Sequence, residues 1–231
     1  NIGHSNSYLL EKLQNLLKSE LLHTYAYTNE IRAKYLKKLI EFSPSNFEKA
    51  FLLSAGTETT EAALKLMRMN GQEFHSNKKI GIICFEGNWH GRTMGAQMMG
   101  GNINQKEWIG YHDPNIYHIR FPYPWVLEKE KISAQDFLYE ELNKLISEKN
   151  ISLKEDICGF MLETFQGWGA VFYPKEFVKQ IKEECIENNI LLCFDEMQAG
   201  FGRTGTKYGF QHYDVEADLI CCGKGIGSGL P

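Results

Sequence analysis

The sequence lacks the features of disulfide-rich, membrane-spanning and nucleic-acid-binding proteins. Its six cysteines include no C-x-x-C pair and mostly lie within apolar runs, which predicts reduced thiols and no zinc site or other bound metal. No apolar run approaches the length of about 18 residues that a membrane span needs, and no signal-peptide pattern opens the chain. A formal net charge of −4 leaves no basic face for nucleic acid. We therefore expect a cytoplasmic protein that binds neither membrane nor nucleic acid.

The chain also lacks an initiating methionine and a final covering helix. It begins at Asn1 and stops at Pro231, directly after a glycine-rich loop. Because a parallel strand is normally followed by a helix that covers the sheet, we expect a fragment of a longer protein. With 231 residues, of which 43% are hydrophobic, the chain is still large enough to bury a core.

Short apolar runs alternate with helical patterns. The predicted strands are 50–53, 80–85, 158–162, 190–194 and 218–222, with an ambiguous stretch at 117–123. The predicted helices are two within 7–41, then 58–69, 93–99, 134–148 and 174–188. This alternation predicts an α/β fold with a mainly parallel sheet and helices on both faces. Pro44 and its serine neighbours mark a boundary between an N-terminal helical segment, 1–45, and a large domain, 46–231.

The helix predicted over 58–69 follows the first apolar run. Its apolar positions Ala62, Leu66 and Met69 recur at helical spacing and are expected to face the core. The dipeptide Asn70-Gly71 is expected to end this helix.

Chemically distinctive residues follow several predicted strands. They are Gly56-Thr57, Trp89-His90, Glu163, Asp195 with Gln198, and Lys224. Because the carboxyl ends of parallel strands meet at one edge of a sheet, we expect these residues to form one site.

The first two pairs each allow a structural and a functional interpretation. Gly56 and Thr57 could bind a phosphate at a helix N-terminus or serve as an ordinary N-cap. Trp89 could stack on a flat ligand or fill the core. His90 has no partner visible in the sequence and is interpreted as a satisfied polar side chain.

Asp195 and Lys224 also allow two interpretations. A buried Asp195 needs a partner, which a cationic ring nitrogen or a loop N–H could supply. Lys224 lies among glycines, where the backbone can approach a ligand closely. Partial desolvation would leave its amine nucleophilic and suited to Schiff-base chemistry, whereas a solvated loop lysine would have no such role.

Together these motifs resemble the class III, ornithine/4-aminobutyrate aminotransferase-like, pyridoxal-phosphate-dependent enzymes. The segments that carry the resemblance are Asn1 to His4, Ser54 to Ala63, Gly87 to Thr93, and Asp195 to Gly205 followed by Gly223-Lys224. The resemblance implies the large domain of a fold type I transferase, with the C-terminal small domain absent from this chain. It implies a transaminase that moves an amino group from an amino acid or amine donor to a 2-oxo acid.

The resemblance also implies roles for individual residues. Lys224 would form the Schiff base and then move the substrate proton, while Asp195 would keep the pyridine nitrogen of pyridoxal 5'-phosphate protonated. The remaining cofactor-binding residues would be Gly56 and Thr57 at the phosphate, Trp89 on the ring face, Gln198 at the ring hydroxyl oxygen, and Glu163 in a supporting role.

One segment departs from the family pattern. Ornithine- and 4-aminobutyrate-type members carry Glu-Pro-x-Gln-Gly-Glu, whereas this chain has Glu163-Thr164-Phe165-Gln166-Gly167-Trp168. Trp168 predicts a bulkier and less polar pocket, so those substrate specificities do not carry over.

Two other functions stay open. The same cofactor site supports class III racemases, epimerases and aminomutases. A non-catalytic ligand-binding homologue or inactive fragment is the second alternative, although Lys224, Asp195 and Gln198 are all present. The resemblance further implies a full-length homodimer, in which a C-terminal arginine and a partner threonine complete the site. We therefore expect this chain to be inactive alone.

Overall fold

A computed structural model describes residues 2–18 and 27–230. Asn1 of the N-terminal motif, the stretch 19–26 within the predicted helical segment, and Pro231 lie outside the described residues. The helices of the described part are α1 (Ser7–Lys18), α2 (Glu30–Phe42), α3 (Gly56–Phe74), α4 (Met94–Met99), α5 (Pro124–Glu130), α6 (Ala134–Lys149), α7 (Leu153–Asp156) and α8 (Lys175–Asn188). The strands are β1 (Gly81–Phe85), β2 (Ile116–Ile119), β3 (Ile157–Glu163), β4 (Phe165–Gln166), β5 (Val171–Phe172), β6 (Leu191–Asp195) and β7 (Leu219–Cys221).

A five-stranded sheet with the order β2-β1-β3-β6-β7 forms the centre of the fold. All of its neighbouring strands pair in parallel, which confirms the predicted parallel sheet. In this register Glu163 lies beside Asp195, and Asp195 lies beside Cys221. The polar ends of β3 and β6 therefore meet at one edge of the sheet, as parallel topology requires.

The two faces of the sheet bury different kinds of side chain. Successive residues of a strand point to opposite faces, so Cys84 and Phe85 belong to different layers. One layer packs thiols and methionines against α3 and α4; its members are Ala63, Leu64, Met67, Ile82, Cys84, Met99, Cys158, Met161, Cys193 and Cys221. On the other face, Phe85 packs edge-on against Tyr173 and against Phe177 of α8. Helices therefore cover both faces. Burial raises the pKa of the Cys84 thiol, so this cysteine serves as a small core residue.

The helix α3 is longer than predicted, and a different face of it is buried. It continues past Asn70-Gly71 to Phe74, and Gly71 lies inside it. A Cβ on Gly71 would lie 2.0 Å from the carbonyl oxygen of Lys79, so the residue is a glycine because the helix approaches backbone there. The buried side chains are Thr60, Ala63, Leu64 and Met67, whereas the predicted inner residue Met69 is 52% exposed. Adjacent apolar residues blur the helical pattern, so periodicity alone selected the wrong face.

The first predicted strand, 50–53, is wrong. Residues 51–53 form no regular structure, and Phe51, Leu52 and Leu53 are exposed. Within the described residues no strand pairs with this segment, and an apolar run without a hydrogen-bonded neighbour does not form a strand.

Several short elements were missed by the sequence pattern. They are α5, α7 and the antiparallel hairpin of β4 and β5, in which Phe165 pairs with Phe172 and Gln166 pairs with Val171. Elements this short contain too few residues for a period to be recognised. The ambiguous stretch at 117–123 overlaps a strand, β2, which begins one residue earlier and ends at Ile119.

The described residues divide into two compact units. The first unit consists of two stretches of the chain, the N-terminal part up to Leu52, with α1 and α2, and the short segment Ser228–Leu230. The second unit, Leu53–Gly227, contains the sheet. The domain boundary predicted after residue 45 stays a prediction. In the part of the chain that the structure describes, no helix combines the length and apolar character needed to cross a bilayer.

Candidate active site

Asp195 ends β6 and forms a buried pair with His90 from the loop after β1. The Nδ1 atom of His90 lies 3.0 Å from Oδ2 of Asp195, and both side chains are almost fully buried. The other carboxylate oxygen accepts a hydrogen bond from the backbone N–H of Met197, at 3.0 Å. Asp195 therefore does cap a loop, as the structural interpretation expected, and it has a second partner that the sequence did not reveal.

The sequence placed His90 at this edge of the sheet but did not predict that it pairs with Asp195. Its carbonyl oxygen accepts a hydrogen bond from Oγ1 of Thr60, at 2.7 Å, which ties the loop to α3. Its Nε2 is buried and has no hydrogen-bond partner among the described residues. Its position at a strand end indicated the site, whereas its partner lies 105 positions away in the sequence.

Glu163 ends the neighbouring strand β3 and holds the same loop. Its Oε2 accepts a hydrogen bond from the backbone N–H of Trp89, at 2.9 Å. Burial raises the pKa of Glu163 to about 7; the nearby His90 opposes the rise and the negative charge of Asp195 adds to it. This carboxyl group therefore changes charge near neutral pH.

The neighbouring acid, Glu196, has a structural role. Its two oxygens accept hydrogen bonds from the backbone N–H groups of Gly209 and Phe210, at 2.7 and 2.8 Å, and from the hydroxyl of Thr164. Burial raises the pKa of Glu196, and these donors oppose the rise. Adjacent carboxylates thus serve different purposes, since Asp195 faces the site and Glu196 fastens the following loop.

The N-terminus of α3 presents Gly56 and Thr57 in its first turn. The N-cap is Ala55, so the expectation of an ordinary cap at Gly56 and Thr57 is wrong. Alanine offers no side-chain acceptor, and the first N–H groups of a helix have no partner within the helix. The hydroxyl of Thr57 lies 2.8 Å from the hydroxyl of Thr93. Amide and hydroxyl donors at a positive helix end suit an anionic group such as phosphate.

Two glycines bring the Lys224 loop against this helix end. A Cβ on Gly223 would lie 3.0 Å from the Cα of Gly56 and 2.4 Å from the sulfur of Met197. A Cβ on Gly56 would lie 2.7 Å from the same sulfur. The segments after β6 and β7 and the start of α3 therefore meet closely.

Lys224 begins a short 3₁₀ turn, Lys224–Gly227, and its own φ is +45°. Its side chain is exposed, so the desolvation expected for it is not seen in this structure. Within the described residues it makes no ion pair. Gln198 is also exposed; a Cβ on Gly167 would lie 2.4 Å from Gln198 Nε2 and 2.9 Å from Glu163 Oε1. The hairpin after β3 thus lies directly against both side chains.

The Trp89 indole is half-buried at this edge. The guanidinium carbon of Arg92 lies 4.6 Å from the centroid of its ring. Trp168, at the turn of the β4–β5 hairpin, meets Trp89 edge-on, with ring centroids 5.9 Å apart. Trp89 therefore does not simply fill the core, because part of its ring stays accessible.

The residues at this edge of the sheet fit a flat cofactor that carries a phosphate and a cationic ring nitrogen. The buried carboxylate of Asp195 could pair with the cation, the Trp89 indole could stack on the ring, and the helix end could hold the phosphate. No group of three His, Cys, Asp or Glu side chains within the described ranges could hold a metal ion.

Comparison with known proteins gives one family. A family model described as aminotransferase class-III matches residues 1–231. The chain is 32% identical over 232 residues to the acetylornithine/succinyldiaminopimelate aminotransferase of Buchnera aphidicola, covering all of this chain and 51% of that protein. It is 32% identical over 231 residues to the acetylornithine aminotransferase of Methanopyrus kandleri, covering all of this chain and 52% of the relative.

A solved structure agrees with these matches. The thermostable (S)-enantioselective omega-transaminase from Thermomicrobium roseum superposes with a TM-score of 0.90 at 28% identity, covering all of this chain and 52% of its own. The chain thus spans about half the length of the relatives it matches.

Proposed function

The chain belongs to the class III aminotransferase family, and we propose that its sheet edge binds pyridoxal 5'-phosphate and serves amino-group transfer. The observation that carries the proposal is the buried pair of Asp195 and His90 beside the half-buried indole of Trp89. Burying an aspartate is costly, and a carboxylate held at a ligand edge suits a cationic partner. The cofactor, when bound, supplies an electron sink for the carbanion at the substrate's Cα.

Asp195 and Lys224 carry the chemistry in this proposal. The Asp195 carboxylate would hold the proton on the pyridine nitrogen, and His90 keeps that carboxylate oriented through its 3.0 Å contact. Lys224 would hold the cofactor through its amine and would move the proton at the donor's Cα. The exposed position of Lys224 gives its amine access to an incoming ligand.

The other proposed residues orient the cofactor. Gly56 and Thr57 bind its phosphate through helix N–H groups and a hydroxyl. Trp89 would stack on the ring, and the hydrogen bond from its backbone N–H to Oε2 of Glu163 holds its loop in place. Gln198 donates to the ring hydroxyl oxygen, and its contact with Gly167 supports that position.

We propose an amino acid or amine as donor and a 2-oxo acid as acceptor for the whole protein, acting as a cytoplasmic homodimer. The named relatives are an acetylornithine/succinyldiaminopimelate aminotransferase and an acetylornithine aminotransferase, which favours amino transfer over racemase, epimerase or aminomutase chemistry. Because the chain spans about half of their length, its own activity is a separate question from cofactor binding.

An absorption spectrum tests the cofactor proposal directly. Addition of pyridoxal 5'-phosphate to the purified chain should produce a Schiff-base band that borohydride reduction fixes to one peptide containing Lys224. Lys224→Ala should abolish the band, whereas Lys65→Ala, at an exposed lysine of α3, should leave it unchanged. A band that survives Lys224→Ala at full strength would refute the assignment.

A further inference from the structure

Trp168 is an exposed aromatic side chain beside the proposed cofactor site. It is 66% exposed at the turn of the hairpin. Its ring meets Trp89 at an interplanar angle of 74°, which is a favourable edge-to-face arrangement. A large apolar side chain exposed at the rim of a binding site gains free energy when a ligand covers it. The hairpin therefore offers an apolar contact surface next to the stacking residue.

The hairpin that carries Trp168 is anchored at its base. Gln166 is buried; its Nε2 donates to the carbonyl oxygen of Glu86, at 3.2 Å, and its Oε1 accepts from the hydroxyl of Tyr123, at 2.6 Å. Gly167 lies against Gln198 and Glu163, with no room for a Cβ. The Cα of Trp168 is thus held one residue away from two proposed cofactor-binding side chains.

The charge around this surface discriminates between ligands. Residues 164–174 contain no charged side chain, so a distal charged group of a ligand meets no counter-charge on the hairpin. The guanidinium of Arg92 lies on the ring of Trp89 and adds a positive charge nearby. A ligand with a distal ammonium would lose hydration against this apolar surface and would find no carboxylate on the hairpin itself, whereas an aromatic group would be accommodated.

We infer that Trp168 is a specificity-determining residue, and that the amino donor carries an aromatic or bulky apolar group rather than a distal ammonium. The inference rests on the proposed function, because it places the donor beside a bound cofactor. It adds the substrate class, which no named relative specifies for this chain.

Binding of two amines to the chain loaded with pyridoxal 5'-phosphate tests the inference without requiring turnover. The probes are 2-phenylethylamine and 1,4-diaminobutane, and the readout is the dissociation constant from the change in cofactor absorbance. We expect 2-phenylethylamine to bind about tenfold more tightly, equivalent to ~1.4 kcal/mol. Trp168→Phe should keep this preference, and Trp168→Glu should abolish or reverse it. Trp108→Glu is the matched control, because Trp108 is also 66% exposed but lies in a separate 3₁₀ turn.

The possible failures are distinguishable. If the cofactor binds and Trp168→Glu leaves the ratio of the two constants unchanged, the specificity inference is wrong and the proposed function stands. If the unaltered chain does not bind the cofactor at all, both are wrong. A loss of preference in Trp108→Glu as large as in Trp168→Glu would also overturn the inference.

Discussion

Nδ1 of His90 lies 3.0 Å from Oδ2 of Asp195, although 105 positions separate the two residues in the chain. Both side chains are buried, and the other oxygen of Asp195 is bonded to the backbone of Met197. The carboxylate is therefore held from two sides by groups of different segments. Because neither side chain can rotate away into solvent, the pair fixes the direction in which Asp195 meets a ligand.

Removal of the His90 partner should weaken cofactor binding and folding together. In His90→Phe, the buried carboxylate loses one hydrogen bond, which should lower the free energy of unfolding by about 1–3 kcal/mol. The affinity for pyridoxal 5'-phosphate, measured by quenching of tryptophan fluorescence, should also fall. His90→Asn places an amide near the position of Nδ1 and should recover part of the affinity.

The exposed His75 provides the control for this change. His75→Phe should alter neither urea denaturation nor cofactor affinity. Equal affinities for His90→Phe and the unaltered chain would show that the contact with Asp195 does not position the carboxylate for the cofactor.

Glu163 should give the stability of the protein a specific pH dependence. Its pKa is raised from 4.5 to about 7 in the folded chain, mainly by burial. The folded state therefore holds a proton that the unfolded state releases between these two values. This contribution to stability is fully present below pH 4.5 and is lost as the pH rises through about 7, by up to about 3 kcal/mol.

Glu163→Gln should remove that part of the pH dependence. Its free energy of unfolding, from urea titrations between pH 5 and pH 8 in steps of about one unit, should fall less with pH than that of the unaltered chain. Glu86→Gln changes an exposed carboxylate and should keep the original slope. If the free energy of unfolding of Glu163→Gln fell with pH as steeply as that of the unaltered chain and of Glu86→Gln, Glu163 would not be the group that binds the proton.

Gly71 should resist substitution although it lies inside a helix. Alanine normally stabilises a helix interior by up to about 1 kcal/mol relative to glycine. Here its Cβ would lie 2.0 Å from the carbonyl oxygen of Lys79 and 2.8 Å from Cβ of Cys158. Backbone must move to admit the methyl group, so Gly71→Ala should lower the free energy of unfolding by about 2 kcal/mol or more.

Asn70→Ala, at the preceding residue of the same helix, provides the comparison for Gly71→Ala. Alanine has a higher helix propensity than asparagine, and Asn70 is not among the buried residues of α3. The free energy of unfolding of Asn70→Ala should therefore not fall, in contrast to that of Gly71→Ala. A midpoint of urea denaturation for Gly71→Ala at or above that of the unaltered chain would contradict the close approach of α3 to the start of β1.

Sequence patterns were sufficient to predict the class of fold and the chemistry of the strand ends. Buried parallel strands require nearly continuous apolar runs, and β1, β3, β6 and β7 show them. Asp195 follows such a run directly, so its place at the edge of the sheet could be predicted. The family motifs then connected it with Lys224.

The contacts between side chains could not be predicted in this way, because they depend on the packing of the whole sheet. The pairing of His90 with Asp195, the approach of Gly223 to Gly56 and the contact of Trp168 with Trp89 each join distant segments. Local periodicity depends on residues a few positions apart, whereas these contacts depend on strand order and register. For the same reason the buried face of α3 and the unpaired segment 51–53 could not be predicted, because the packing partners of a segment decide both.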